Sequence, residues 1–205
     1  MTATTLANRT VPAATLAVAG AAWIAALQHM RGMDLGVATD LGSFWFFLGA
    51  WVSMMAAMML PGAVPAIVRH VRADGRVLAA LRFAGSYLAV WTLVGLGVYL
   101  TYKPHSAAAA GAITIAAAGY ELTPLKRECR RLCRAGLRSG LRFGLYCVGS
   151  SIGLMAMLGA LGLMSVTWMV VVAILVSAQK LVPPQACVDV ALALALLALG
   201  IFVAV

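Results

Sequence analysis

Two groups of sulfur-bearing side chains in this 205-residue chain have the type and spacing to do chemistry. Cys129 and Cys133 stand four residues apart, so on a helix their sulfurs project from one face. Two thiolates so placed suit a soft metal ion such as Cu(I) or zinc. Cys147 lies one turn inside a later apolar run, and Cys187 opens the last one. The second group is Met54, Met55, Met58 and Met59, two pairs at the same four-residue spacing on one broad face. Thioethers are also ligands for Cu(I). A plainer reading stands beside each group. Unpaired cysteine is among the most buried residue types, and methionine fills irregular helix interfaces.

Other polar groups carry less. His29, with Met30, Met33 and Asp34 close behind it, forms a grouping that suits copper, although an ordinary polar loop explains it equally. His105 sits in another loop, His70 lies among arginines, and Gln179 with Lys180 closes an apolar run. No phosphate loop, dinucleotide fingerprint or HExxH pattern occurs. Ser150 and Ser151 have no histidine and carboxylate near them in sequence, so no nucleophile is expected and no catalytic residue is assigned.

The elements that must position these groups follow from composition. The chain is 63% hydrophobic and 10% charged, with a mean hydropathy of +0.99. A soluble domain is about half apolar and about a quarter charged. The chain is therefore read as an integral membrane protein. Its apolar runs are continuous and of helical length, without the two-residue alternation of barrel strands. An all-α, polytopic transmembrane bundle follows, forming one domain over residues 1–205. The expected spans are 11–27, 44–68, 77–100, 107–120, 143–163, 166–181 and 187–205. The first also has the look of a signal peptide and is read as a retained helix. The fourth, short and Ala-rich, is the weak one.

Charge settles the weak span. With seven crossings and a cytoplasmic N-terminus, 13 of the 15 Lys and Arg fall inside, leaving Arg31 and Lys103 outside. Without the fourth crossing the cluster from Lys126 to Arg142 lands outside, against the positive-inside rule. The expected topology is N-terminus in and C-terminus out. The formal charge of +9 then reports orientation, and nucleic acid is not needed as a partner. All four cysteines gather toward the reducing inner side, where disulfides are not expected.

Between the fourth and fifth spans, Thr123 followed by Pro124 reads as an N-cap with proline at the first helical position. Leu125, Cys129, Leu132 and Cys133 then share one face. Lys126, Arg127, Arg130, Arg131 and Arg134 occupy the rest. Residues 124–135 are expected to form an amphipathic helix on the inner surface, its cations meeting anionic lipid.

Three stretches, WVSMMAAMMLPGAVP at 51–65, GYELTPLKRECRRLCR at 119–134 and GLRFGLYCVGSSIGLMAMLGALGLMSVTWM at 140–169, continue to QKLVP at 179–183. Together they resemble a bacterial domain-of-unknown-function family of predicted metal-binding integral membrane proteins. The resemblance implies a multi-pass protein of the bacterial inner membrane with a cysteine set on its inner side. It places Cys129, Cys133 and Cys147 at matching positions. The family's Cys-x-Gly-Cys-Cys run reads Cys147-Val148-Gly149-Ser150-Ser151 here, so two thiols have become hydroxyls, which are poor ligands for soft metals. Its acidic residue before the lysine is Gln179. Three functions remain open: a metal-handling membrane protein, for copper, using the sulfur groups; a non-catalytic accessory subunit of a larger membrane complex; and, less favoured for want of buried charge or an inverted repeat, a small-molecule transporter.

Overall fold

The computed structural model describes residues 3–31, 41–76, 78–135, 139–181 and 186–205. Among them are eight helices and no strand: α1 (Ala3–Met30), α2 (Phe44–Asp74), α3 (Leu78–Thr101), α4 (Ala107–Glu121), α5 (Pro124–Arg134), α6 (Gly140–Gly162), α7 (Val166–Leu181) and α8 (Ala186–Ala204). In a bilayer each backbone N–H and C=O must be satisfied within its own segment, which a helix does.

Five of the helices are long and apolar enough to cross a membrane: α1, α2, α3, α6 and α8. The expectation of seven is not met by length. α4 has 15 residues and α7 has 16, which at 1.5 Å per residue reach about 22 and 24 Å, short of a hydrocarbon core about 30 Å thick. The chain is a multi-pass α-helical membrane bundle.

α2 and α6 are its centre. Each buries 61% of its most apolar window, against 17%, 28% and 22% for α1, α3 and α8. α2 packs on α1, α3 and α7, while α6 packs on α3, α4, α5 and α7. The outward faces are apolar, with Ile24, Leu93, Ile174 and Phe202 exposed, as lipid contact requires. α2 stays helical through Pro61 and Pro65 and ends at Gly75, whose left-handed φ of 73° lets its N–H reach the Val71 carbonyl. α8 approaches α4 closely because both contact points lack a side chain: a Cβ on Gly111 would fall 2.6 Å from the Gly200 carbonyl oxygen.

Candidate functional site

The short helix α5 begins as its sequence dictates. The Thr123 hydroxyl accepts the Lys126 N–H, and Pro124 occupies the first turn. Its orientation differs from expectation. The buried residues are Lys126, Arg130 and Cys133, whereas Leu125 is 62% exposed. Lys126 and Arg130 were expected at lipid headgroups; instead they turn into the protein. Lys126 Nζ donates to Glu121 Oε2 at the end of α4. Arg130 Nη1 donates to Asp189 Oδ1 of α8 at 2.6 Å, and its Nε to the Gln179 carbonyl of α7 at 2.8 Å. Gln179 Nε2 completes the network on Glu121 Oε2 at 2.8 Å. The surface beneath α5 is made of carboxylates and a carbonyl, so the cationic face is the one that can be buried. Burial lowers the Lys126 pKa, and the charge of Glu121 opposes that shift. Arg127, Arg131 and Arg134 remain exposed.

A second cluster lies deeper, where α2, α3, α6 and α7 meet. Tyr87 is fully buried, and its hydroxyl is 3.1 Å from Cys147 Sγ. Lys180 Nζ donates to the same hydroxyl at 3.3 Å and to Met59 Sδ at 3.7 Å. The lysine stem crosses α2 at Gly62, where a Cβ would collide with Lys180 Cδ. Cys133 of α5 completes the group from above. Burial, then the nearby Cys147, pushes its thiol from an ordinary 9.0 up to about 12, while the Lys180 charge and a hydrogen bond with Ser150 pull the other way.

The eight sulfur positions therefore separate. Cys133, Cys147 and Met59 converge around Tyr87 and Lys180. Cys129 is half-buried and packs on α6, where a Cβ on Gly149 would fall 2.6 Å from its Sγ. Met54, Met55 and Met58 are buried in the core. Cys187 is exposed. No group of three or more His, Cys, Asp or Glu able to hold a metal occurs among the described residues. The cluster's soft donors are two thiols and a thioether, ligand types that suit Cu(I).

The histidines are tied elsewhere. His29 Nδ1 lies 2.8 Å from the Ala25 carbonyl, and its ring leans on Phe46. His105 Nε2 lies 3.0 Å from the Ala160 carbonyl, and the His70 ring lies tilted against Phe83. Met33 and Asp34 lie outside the described residues. Sequence reasoning missed Tyr87, Glu121 and Asp189. Asp189 had a visible signal: it is an ionisable residue within an apolar helix, which ordinarily has a partner.

No curated protein and no solved structure matches this chain. A family model described as PpoB2, copper chaperone, matches residues 48–203, which takes in α2 from its second turn to α8 and the four cysteines and four methionines of the two sulfur groups. That match corrects the resemblance to the domain-of-unknown-function family drawn from the three stretches above. The matched region is most of the sequence, and the chain belongs to the PpoB2 copper-chaperone family.

Proposed function

We propose that this chain handles copper within a bilayer, taking Cu(I) as its substrate on the thiols of Cys133 and Cys147 with the Met59 thioether beside them. The observation that carries the reading is the convergence of Met59, Tyr87 and Cys147 through Lys180. Membership of a family described as copper chaperones supports it. Cysteine binds copper as thiolate, so uptake releases one proton from each thiol. Two thiolates and one Cu(I) carry a net charge of −1, and the Lys180 ammonium offsets it without leaving the cluster. Cys129, one turn before Cys133 and half-buried, is the sulfur through which copper enters. Met54, Met55 and Met58 serve packing. No bond to a second substrate is made or broken, and the role is not enzymatic.

The same reading includes the membrane placement. α4 and α7 join the five long helices as crossings, giving seven, with the N-terminus in and the C-terminus out in a bacterial inner membrane. The supporting argument is charge, since without the α4 crossing the basic residues of α5 lie on the outer face. Arg127, Arg131 and Arg134 then meet the anionic inner leaflet.

Anaerobic loading with Cu(I) in detergent, against a competing chelator, tests the function. The wild type is expected to retain one copper per chain, and a Cys133→Ser/Cys147→Ser variant to retain none. Retention by the double variant, or none by the wild type, overturns the reading. One observation favours a second reading, an accessory subunit of a larger complex. An apolar groove of about 520 Å³ lies open between Trp23 of α1, Met58 of α2 and Ile174 of α7. Co-purification in mild detergent tests it, and a lone species counts against it.

A further inference from the structure

A cavity of about 230 Å³ opens between the ends of α2, α5, α6 and α7, above the sulfur cluster. That is room for several waters, each about 30 Å³. Four of its lining side chains are cationic: Arg69, Arg130, Arg134 and Lys180. None is a carboxylate. Three ion pairs are formed among the described residues: Lys126 with Glu121, Arg130 with Asp189, and Arg131 with Glu128. Arg130 is thus balanced, but neither Arg69 nor Lys180 has a carboxylate in these pairs. A half-buried ammonium whose hydrogen bonds go to a thioether and a phenol lacks the counter-charge that burial ordinarily demands.

The floor of the cavity supplies a second, independent observation. Ser150 and Ser151 both line it. The Ser150 hydroxyl donates to the Cys147 carbonyl at 2.9 Å. Ser151, only 2% exposed, lines the cavity one residue further along α6. A hydroxyl that lines a cavity can donate to an acceptor held there. Arginine forks recognise phosphate and carboxylate oxygens in particular, and a lysine adds a compact charge.

We propose that this cavity is a binding site for a phosphate- or carboxylate-bearing anion, with Ser151 donating from the floor, Lys180 beside it and Arg69 at the mouth. Lys180 is shared with the sulfur cluster, so in a copper-loaded chain its charge is taken up there and Arg69 carries the anion's charge. Its anion has two possible sources, a small solute or the headgroup of an anionic lipid, and both present the same oxygens.

Thermal unfolding in a neutral detergent, with inorganic phosphate replacing chloride at constant ionic strength, tests the soluble source. Recovery of phosphatidylglycerol on protein taken from vesicles of phosphatidylglycerol and phosphatidylcholine tests the lipid source. The wild type is expected to gain Tm with phosphate or to carry phosphatidylglycerol through purification. Arg69→Gln and Ser151→Ala are expected to lose most of whichever response is seen. Arg127→Gln, which removes an exposed cation that does not line the cavity, is expected to keep the phosphate response and to lose at most a small share of the phosphatidylglycerol. If the wild type shows neither response, or if Arg127→Gln loses as much as Arg69→Gln, the proposal is overturned. The phosphate-against-chloride comparison on the wild type needs no variant, so a misfolded substitution does not rescue or sink it.

Discussion

Arg130 and Lys180 are both long cations drawn into the same end of the bundle, and they are held in opposite ways. Arg130 meets a carboxylate at 2.6 Å and a backbone carbonyl at 2.8 Å. Lys180 meets a thioether and a phenol, and its ring contact with Tyr87 is 5.7 Å from the centroid. The first arrangement satisfies a charge inside the protein and joins α5, α7 and α8. The second leaves a charge unbalanced next to two thiols. A paired buried ion is a structural fastening, whereas a cation placed among soft donors without a carboxylate is poised for a negative charge that arrives with a ligand.

One substitution made at both positions separates the two cases most sharply. Arg130→Met strands the Asp189 carboxylate, 3% exposed, and breaking a buried pair from one side costs about 3–5 kcal/mol. Lys180→Met removes a charge that has no carboxylate to abandon, and methionine fills a similar volume, so its stability is expected to match or exceed the wild type. Unfolding in detergent by denaturant reads both. Equal destabilisation of the two variants breaks the comparison, because Lys180 would then be as structural as Arg130.

How far the sequence could be read follows the same division. Apolar runs mark the helices because hydrophobicity is a local property, and capping marks the start of α5 because Thr123 and Pro124 act within one turn. The orientation of α5 was not legible. The rule that the apolar face turns inward assumes an apolar partner. Here the partner surface is built from Glu121, Gln179 and Asp189, each contributed by a different helix. The site was half legible for the same reason. Cys129 and Cys133 share a helix face by spacing alone, but only the packing of α3 and α7 on their neighbours shows that Cys133 joins Cys147 and Met59 while Cys129 turns to Gly149. α4 and α7, the two apolar helices too short to span by length alone, are those whose fit to a bilayer depends on what surrounds them.

A smaller effect concerns selectivity and rests on the copper reading. With Cu(I) on two thiolates, Lys180 brings the cluster to neutrality. With a divalent ion such as zinc, the same ligands and lysine leave a net charge of +1 away from water. Lys180→Met reverses both balances, leaving −1 with Cu(I) and neutrality with zinc. The preference for Cu(I) over zinc is expected to fall by roughly tenfold or more, since about 1.4 kcal/mol is enough for a factor of ten and a charge pair 4 Å apart near a protein surface exceeds that. Competition titrations with each metal measure the ratio. An unchanged ratio in a variant that still binds Cu(I) removes Lys180 from selectivity while leaving the copper reading in place.

The weakest expected effect belongs to a third cation and calibrates the other two. Arg131 reaches Glu128 at 3.9 Å, one turn back on α5, with the two side chains 78% and 56% exposed. Water screens such a pair, and holding two long side chains together costs entropy, so exposed pairs contribute about 0.2–1 kcal/mol and helical neighbours toward the low end. Arg131→Ala is expected to change stability by no more than about 0.5 kcal/mol in detergent. If α5 lies at the inner leaflet as proposed, the outcome in vesicles depends on lipid charge, because an arginine near an anionic surface contributes about 1 kcal/mol of attraction. Flotation of α5 as a synthetic peptide cannot report this, since Lys126 and Arg130 would be released from their carboxylates. The full chain, compared in anionic and neutral vesicles, is the right sample. A loss of stability in detergent as large as that of Arg130→Met would mean that α5 is held by its outer face as well, and the distinction between fastened and poised cations would not survive it.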